Sequence, residues 1–466
     1  MPHEVPADGH RPIIACVGGG ASATLTAIAL LRATTWLRLP YRLVLFDEHG
    51  RHGRGTAYAT TEEHHLLASP ATTMSAIPEQ PAHFVEWARS RNGDCRAATF
   101  LPRGDYGDYL WETLLATARW AEPHASLECR TARVVSATCD DRGVTLGLAG
   151  GERVNAAAAI VATGNARPSP LTAAAELGVP VIDPWAPETA GKTLQGHRRV
   201  LTIGTGLTMV DVALSVASAA PQARIDAVSR RGLLPHRHRP PVVMPPVAVD
   251  LSGPPALRTL TRRVRAAIAA YPGDWRHVVD SLRPHTAQLW QGLTREEQQI
   301  FLERFATYWE SARHRMAPEA AEEVAALRAS GRLRVHAGGI EGVEPGHEGV
   351  RARLGNGRVV EADAVADCTG AHPGSSPFLR GLLAQGLARP DHLGMGIDTC
   401  PHGALIDASG KVSRRLFGLG PVRRGRLYET TAIPEIREQA EHLAQRIADT
   451  VLRERPVSGG GVHVAG

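Results

Sequence analysis

The stretch PIIACVGGGASA, residues 12–23, decides the fold. Its first part, residues 13–17, is a short apolar run without turn residues, typical of a strand buried on both faces. Three glycines follow it directly, and residues 21–31, free of Gly and Pro, favour a helix. Strand, glycine turn and helix in this order are the context that a dinucleotide-binding fingerprint requires.

Each small residue of this turn has a physical role in the interpretation. Gly18 permits the sharp turn, and Gly20 has no Cβ, so that a pyrophosphate can approach the backbone. The free N–H groups at the start of the helix then face the phosphates. Ala23 occupies the third position of the fingerprint, where a small residue allows close packing of helix and strand.

An acidic strand end completes this first fingerprint. Residues 42–48, RLVLFDE, predict the next strand, and Asp47 or Glu48 would accept a hydrogen bond from a ribose hydroxyl. The glycine-rich loop of residues 50–58 follows, where the far half of a bound dinucleotide would pass. The alternative is a glycine turn without a ligand, which the acidic strand end makes less favoured.

A second fingerprint lies in residues 199–214, RVLTIGTGLTMVDVAL. Gly204 and Gly206 repeat the turn, whereas the third position is Met209, which predicts looser packing of helix and strand. The next strand ends in Ser229-Arg230-Arg231, where a site for unphosphorylated ribose would usually have an acid. Two guanidinium groups and a hydroxyl suit a 2′-phosphate and favour NADPH over NADH. The alternative is a pair of exposed arginines at a strand end.

The strand and glycine patterns predict an α/β protein with two Rossmann-like dinucleotide-binding domains and a helical insertion. The arginines after the second fingerprint favour NADPH for the second domain, and the resemblance to flavoproteins with two dinucleotides implies FAD for the first. The apolar run 156–164 ends in Thr163-Gly164, and residues 362–370 repeat this pattern up to Gly370. We therefore expect the chain to re-enter the first domain. The expected division is a discontinuous FAD-binding domain, 11–195 and 333–454, and an NADPH-binding domain, 196–332. Residues 455–466 are expected to be a disordered tail.

The insertion, residues 255–330, predicts several helices, one of which begins with the capping box of Thr294 and Glu297. Together with Trp275, Trp290 and Trp309 it would form a lid or a substrate wall, or equally a structural insert or a dimer surface. The pair His64-His65 lacks a third ligand at helical spacing, so loop histidines are a better interpretation than a metal site.

The composition of the chain argues against several classes of function. The chain has 466 residues, enough for two domains, and a net charge of +5 that is spread along the sequence, which does not favour nucleic-acid binding. None of the six cysteines forms a CxxC pair, and no apolar run approaches the roughly 20 residues that span a bilayer. We expect a cytoplasmic protein with neither a membrane nor a metal and possible homo-oligomers. An enzymatic role, with a small-molecule substrate and O2 as partners, is implied by the resemblance described next.

The motifs VGGGASA, GRHGRGTAY, GTGLTMVDVAL, VSRRGLLP, DCTG and ETTAIPEIR together resemble the bacterial FAD/NAD(P)-binding oxidoreductases, which are related to flavin-dependent N-hydroxylating monooxygenases. The resemblance covers roughly residues 11–454. It implies FAD at the first fingerprint, with the isoalloxazine near residues 53–58 and 74–75, and a nicotinamide cofactor at the second fingerprint. The residues expected at the cofactors are Gly18, Gly19, Gly20, Ser22, Ala23, Asp47, Glu48, Gly53, Gly55, Met74, Ser75, Thr163, Gly164, Gly204, Gly206, Ser229, Arg230, Arg231, Gly370 and Gly420.

The leading hypothesis is an FAD enzyme reduced by NADPH that oxygenates a small amine or amino acid, by N-hydroxylation, through a flavin C4a-hydroperoxide. No catalytic triad or metal set is needed, because the flavin carries the chemistry. The candidate catalytic residues are Arg54, Tyr58, Arg103, His314, Arg315 and Glu429. The alternatives are an NADPH-dependent flavin reductase or dehydrogenase without oxygen transfer and, less favoured, a partner-binding protein in which FAD is not catalytic.

Overall fold

The computed structural model describes residues 11–165, 178–186, 196–239, 246–347, 349–370 and 376–453. The tail expected at 455–466 lies outside these residues. Within them the expected α/β architecture, with two mainly parallel sheets and a helical segment, is confirmed. No helix in the described ranges is both long and apolar enough to cross a bilayer.

The first sheet has six strands in the order β16-β17-β7-β1-β2-β3, and all its neighbours are parallel except β16 and β17. Its strands are β1 (Ile13–Val17), β2 (Tyr41–Asp47), β3 (Ala125–Thr131), β7 (Ala158–Val161), β16 (Ala404–Ile406) and β17 (Val412–Gly418). The central β1 is buried along nearly its whole length, as its unbroken apolar sequence predicts.

Helices cover this sheet. They are α1 (Ala21–Thr35), α2 (His83–Arg91), α3 (Arg103–Ala121) and, after the second domain, α11 (Pro377–Ala384), α12 (Arg424–Leu427) and α13 (Ile433–Ile447). The helix α1 starts immediately after Gly20 and is buried between the sheet and α13. A separate antiparallel sheet, β4 (Val134–Cys139), β5 (Val144–Leu148) and β6 (Arg153–Ala156), lies between β3 and β7 in the chain.

The second sheet has five parallel strands in the order β11-β10-β9-β15-β8. They are β8 (Val181–Ile182), β9 (Arg199–Ile203), β10 (Arg224–Ser229), β11 (Leu333–Ala337) and β15 (Ala364–Asp367). The helix α4 (Leu207–Ala219) follows β9, and α10 (Pro318–Ala329) precedes β11. An antiparallel sheet of β12 (Ile340–Gly346), β13 (Gly349–Leu354) and β14 (Val359–Ala362) lies between β11 and β15 in the chain.

The strand pairing shows that the expected return of the chain at residue 333 is wrong. The strand β11 pairs with β10, and β15 pairs with β9, so residues 333–367 belong to the second sheet. The prediction failed because both domains have the same order of elements. Each begins with a strand and a helix, and two further strands, a three-stranded antiparallel sheet and a last central strand follow. The Thr-Gly ending at 369–370 is the second domain's counterpart of the ending at 163–164. We propose that the return to the first domain follows residue 370, because Phe378 and Leu379 of α11 pack in the first domain's core.

The two glycine turns have the same geometry. The N–H of Gly18 donates to the carbonyl of Phe46 (2.9 Å), and that of Gly204 donates to the carbonyl of Val228 (2.8 Å). Both glycines have positive φ, +115° and +108°. A Cβ added to Gly18 would lie 2.3 Å from the Ala162 carbonyl oxygen, and one added to Gly204 would lie 2.2 Å from that of Cys368. Each turn is therefore wedged against the end of the neighbouring central strand.

The connection between β10 and α10 contains the helical segment, residues 257–313. Its helices are α5 (Leu257–Ala270), α6 (Trp275–Ser281), α7 (Thr286–Gly292), α8 (Arg295–Ile300) and α9 (Ala306–Arg313), with a π-helical turn, Phe301–Phe305, between the last two. The capping box of Thr294 and Glu297 is confirmed. The expected helices are present, but they are short and enclose a cavity, described below.

A buried polar cluster joins the two domains. Arg103, at the start of α3, makes two hydrogen bonds to Asp211 of α4, of 2.7 and 3.2 Å, and both side chains are almost inaccessible. The rings of His64 and His65 both contact the hydroxyl of Ser215 on the same helix, at 3.1 and 2.9 Å. Burial, with the nearby charge of Arg103, lowers the pKa of His65 to about 4, so this ring is neutral near pH 7. The two histidines are therefore interdomain contacts.

We expect Gly204→Ala to lower the free energy of unfolding by at least about 2 kcal/mol, because the new Cβ meets a carbonyl at a positive φ. The matched control is Gly206→Ala, whose Cβ would have no atom within 4 Å and whose φ is −82°. Urea unfolding of the two variants measures the difference. Equal stabilities would contradict the wedged turn.

We expect Arg103→Met to lower the free energy of unfolding by about 3–5 kcal/mol, because the substitution leaves the Asp211 carboxylate buried without its partner. Arg199→Met, which breaks a pair with Glu361 in which both side chains are about half exposed, should cost less than about 1 kcal/mol. Calorimetric melting of both variants tests this. Similar costs would show that the Arg103 pair does not hold the domains together.

Candidate functional site

The first cavity lies at the carboxyl end of the first sheet, over the first glycine turn. The turn residues Gly18, Gly19, Gly20 and Ser22 line it, together with Asp47, Gly55, Tyr58, Thr163 and Gly164. A parallel sheet places its ligand sites at this edge, where the strands end and the helices begin. Its walls therefore combine the start of α1, the acidic end of β2 and the end of β7.

The loop of residues 50–58 lies directly on the first glycine turn. The N–H of Gly53 donates to the carbonyl of Gly19 (2.9 Å), and a Cβ on Gly20 would lie 3.1 Å from the Cα of Gly55. The expected close approach at Gly20 is thus made, in this structure, by another part of the chain. The loop leaves a cavity of about 190 Å³, which accommodates only part of a dinucleotide.

Asp47 is organised for a role at this cavity. Its Oδ1 accepts the backbone N–H groups of His49 (3.0 Å) and Arg51 (2.9 Å), which fixes the carboxylate at the strand end. Its Oδ2 lies 3.1 Å from the position that a Cβ on Gly19 would take. Glu48, the alternative acid, is exposed, pairs with Arg133 and does not line the cavity, so Asp47 is the better candidate for a ribose contact.

Buried polar atoms without hydrogen-bond partners lie around the first cavity. The Thr163 hydroxyl and the indole nitrogen of Trp185 are buried, and neither has a hydrogen-bond partner within the described part of the chain. Both ring nitrogens of His52 are also buried without a partner, beside the Gly19 turn and stacked on Trp111. Buried polar groups are normally hydrogen-bonded, so these atoms fit a bound polar group such as a dinucleotide.

The second cavity, of about 460 Å³, covers the second glycine turn. Gly204, Gly206, Ser229, Arg230, Arg231 and Gly370 all line it, as the sequence predicts. A Cβ on Gly206 would point into open space, so the start of α4 is accessible to a ligand. Met209, at the third fingerprint position, is fully buried in the core of this domain.

The two arginines after β10 differ in their surroundings. Arg231 lies over the ring of Tyr308, with 4.8 Å to the centroid, and donates to the carbonyl of Glu303 (3.1 Å). The exposed Arg230 has no such side-chain partner within the described ranges. The Ser229 hydroxyl bonds the hydroxyl of Thr205 (2.9 Å) and the N–H of Gly232 (3.0 Å). Arg230 is therefore the better placed of the two to meet a phosphate.

The first and second cavities adjoin. Asn165, Trp185 and Thr431 line both of them. Asn165 follows the Thr-Gly ending of the first domain, and Thr431 immediately precedes the C-terminal part that covers the first turn. Ligands in the two cavities would therefore meet at this shared wall.

Titratable side chains with shifted pKa values line part of the second cavity. Glu429 accepts hydrogen bonds from the indole nitrogen of Trp309 (2.8 Å) and from Arg313 (3.2 Å). Burial raises the pKa of Glu429, and the charge of Arg313 opposes this shift. Burial, reinforced by Arg313, lowers the pKa of His314 to about 3. His314 is thus neutral near pH 7, and the Glu429 carboxyl holds its proton more tightly than an exposed one.

The structure separates the candidate catalytic residues into two groups. Arg54 and Tyr58 line the first cavity, and His314 and Glu429 line the second. Arg103 and Arg315 line neither cavity, which does not support their assignment as catalytic residues. Arg103 holds Asp211, and the buried Arg315 makes two hydrogen bonds to Asp280 (2.7 and 3.0 Å), because each guanidinium has an acid within reach.

Some expected cofactor residues also lie elsewhere. Met74 is buried in the first core, and the Ser75 hydroxyl donates to the carbonyls of Ile77 and Gln80, so neither lines the first cavity. Gly53 packs against Trp111, Ala23 is buried behind the turn, and Gly420 lies against Ser22. These three residues pack around the first glycine turn without lining the cavity.

Sequence reasoning missed several wall residues. Asn165, Trp185, Glu310, Arg424, Tyr428 and Thr431 line one or both cavities. The segment 428–431 belongs to the motif ETTAIPEIR or directly precedes it, so a signal existed for it. Trp185 and Glu310 have no local pattern that marks them, because only the tertiary fold brings them to the site.

A comparison with protein-family models gives one match that bears on this site. The model described as FAD-NAD(P)-binding matches residues 15–166, which include the first glycine turn, Asp47 and the Thr-Gly ending of β7. No curated protein sequence matches the chain.

The described chain shares its fold with several solved monooxygenases and hydroxylases. L-lysine 6-monooxygenase from Pseudomonas syringae superposes with a TM-score of 0.64 at 15% identity, over 95% of this chain and 100% of that one. Ornithine hydroxylase from Pseudomonas aeruginosa gives 0.63 at 14%, over 93% and 98%. The FAD-bound cadaverine monooxygenase from Erwinia amylovora gives 0.62 at 12%, over 94% and 95%. At these identities the likeness establishes the fold.

We expect Arg230→Ala to raise the Kd for NADPH by about 10–100-fold, because a hydrogen bond to a charged group contributes about 1.5–3 kcal/mol. The Kd for NADH should stay within about twofold, since NADH lacks the 2′-phosphate. Arg231→Ala is the matched control and should have a smaller effect, because Tyr308 and Glu303 already hold that side chain. Fluorescence titration measures both. Equal losses for NADPH and NADH would contradict the assignment.

Proposed function

We propose that the protein is an FAD-dependent, NADPH-using monooxygenase that N-hydroxylates a small amine. The observation that carries this proposal is the wall shared by the two cavities, formed by Asn165, Trp185 and Thr431. Two dinucleotide sites that adjoin allow a hydride to pass between their ring systems. The fold shared with solved lysine, ornithine and cadaverine monooxygenases supports the same reaction class.

The residues around the first cavity would hold FAD. The start of α1, with Gly18, Gly19 and Gly20, offers backbone N–H groups to the pyrophosphate, and Asp47 accepts from a ribose hydroxyl. The Thr163 hydroxyl and the Trp185 indole supply further hydrogen-bonding groups. Bound at these residues, FAD would supply the redox chemistry, namely acceptance of a hydride from NADPH and transfer of one oxygen atom of O2 to the amine.

The residues around the second cavity would hold NADPH. The open backbone at Gly206 receives the pyrophosphate, and Ser229 and Arg230 lie where the 2′-phosphate would be bound. Because its pKa is lowered to about 3, His314 adds no positive charge to the wall of the second cavity near pH 7. The fold holds both glycine turns against strand ends, and it would therefore orient the two ring systems toward each other.

The overall reaction balances as RNH3+ + O2 + NADPH → RNHOH + NADP+ + H2O. One oxygen atom forms the new N–O bond, and the other leaves as water. NADPH supplies two electrons as a hydride, and the ammonium ion supplies the proton that water formation needs. The acidic residues at the second cavity, Glu310 and Glu429, are the groups of this chain that can receive that proton.

Anaerobic reduction followed by air tests the proposal. Purified protein loaded with FAD is mixed with NADPH without oxygen, and absorbance near 450 nm is followed. We expect rapid bleaching by NADPH and much slower bleaching by NADH. Air is then admitted with an amine present, and hydroxylamine and hydrogen peroxide are measured.

Two results would contradict the proposal in different ways. Bleaching followed only by peroxide, with every amine tested, would identify a flavin reductase. Tight FAD binding without bleaching by NADPH would remove the redox function. The control is Gly206→Ala, which should keep FAD but lose fast reduction, because its new Cβ occupies the proposed pyrophosphate position.

A further inference from the structure

The helical segment encloses a third, apolar cavity of about 570 Å³. Helices α5, α6, α7 and α9 and the π-helical turn form its walls, with side chains that include Leu260, Val264, Trp275, Trp290, Phe301 and Trp309. Its volume falls within the range of small-molecule sites. The aromatic side chains of Phe301, Phe305, Tyr308 and Trp309 thus partly line an open space.

No carboxylate lines this cavity in the described part of the chain, and its two cationic residues, Arg265 and Arg304, are exposed. Burying an ammonium or carboxylate group there would leave a charge without a partner. A zwitterionic amino acid therefore does not fit inside it. The hydrocarbon or aromatic body of a ligand does, because transfer of apolar surface from water stabilises the complex.

Tyr428 lines both the apolar cavity and the second cavity. Its ring packs against Trp290 and Phe301, with centroids 4.8 and 5.2 Å apart, on the apolar side. Its hydroxyl lies 3.4 Å from Oε1 of Glu310, which lines the second cavity and also accepts from Arg424 (2.9 Å). The apolar cavity therefore has one polar end, and that end faces the nucleotide site.

Tyr428 also has an unusual backbone. Its φ of +60° and ψ of −69° lie in a region that residues other than glycine rarely adopt. Such strain persists where the surrounding structure enforces it, often at functional sites. Here the carbonyl of Gly425, three residues earlier, accepts the indole N–H of Trp290 (2.8 Å), which fastens the segment to the cavity wall.

We propose that the oxygen acceptor is an apolar monoamine. Its hydrocarbon or aromatic body lies in the apolar cavity, and its amino group lies at Tyr428 and Glu310, facing the nucleotide site. This rests on the proposed function and names the substrate class of the same site. The reaction is the one balanced above: the Glu310 carboxylate takes up the ammonium proton and passes it on to the oxygen atom that leaves as water.

Isothermal titration calorimetry on the FAD-loaded enzyme with NADP+ tests the proposal without turnover. The probes are n-hexylamine, n-octylamine, n-octanol, octanoate and L-ornithine. We expect each added methylene to lower the Kd of the amine about fourfold, from about 0.8 kcal/mol per buried methylene. L-ornithine should bind at least 100-fold more weakly than n-octylamine.

Variants locate the ligand. Val264→Trp and Thr261→Phe fill the cavity from one face of α5 and should each weaken n-octylamine binding more than tenfold. Ala266→Trp, on the exposed face of the same helix, should change it less than twofold. Glu310→Gln should weaken n-octylamine but not n-octanol, because only the amine is charged.

Three results would overturn the inference. They are ornithine binding equal to that of n-octylamine, no dependence on chain length, and octanoate binding more tightly than the amine, which would point to Arg265 and Arg304. Failure of the proposed function looks different, because then amines bind as described while NADPH does not bleach the flavin. Normal bleaching with no amine binding would reject this inference alone.

Discussion

Both glycine turns depend on a position where the neighbouring backbone leaves no room for a β-carbon. Gly18 and Gly204 each turn the chain at positive φ, with their Cα against the carbonyl that ends the next central strand. Because each N–H also bonds the opposite neighbouring strand, three strand ends and one helix start meet at each turn. These two junctions place both helix starts at strand ends, and the buried pair of Arg103 and Asp211 links the two domains that carry them.

The repetition of one plan explains both what the sequence revealed and where it misled. Local patterns identified the strands, the glycine turns and the Thr-Gly endings, because these depend on short-range sterics. The same patterns placed the chain's return at residue 333, because a Thr-Gly ending has the same form in either sheet. Only strand pairing, a long-range property, assigns β11 and β15 to the second domain.

The site shows the same division between local and long-range information. Gly204, Gly206, Asp47 and Arg230 were predictable because their positions within a fingerprint fix their geometry. Arg103 and Arg315 line neither cavity, and the sequence gives no sign of their acidic partners, the buried Asp211 and the partly exposed Asp280, which lie far away in the chain. The wall residues Trp185, Glu310 and Tyr428 reach the cavities only through the tertiary fold.

The central claim is that both nucleotides bind side by side, at the wall shared by the first and second cavities. Difference spectroscopy of the FAD-loaded protein during titration with NADP+ tests it most directly, because a neighbouring nicotinamide changes the visible absorption of a flavin. The account predicts a saturable change with the same midpoint as calorimetric NADP+ binding, and its loss in Gly206→Ala. Saturated NADP+ binding with an unchanged flavin spectrum would contradict it.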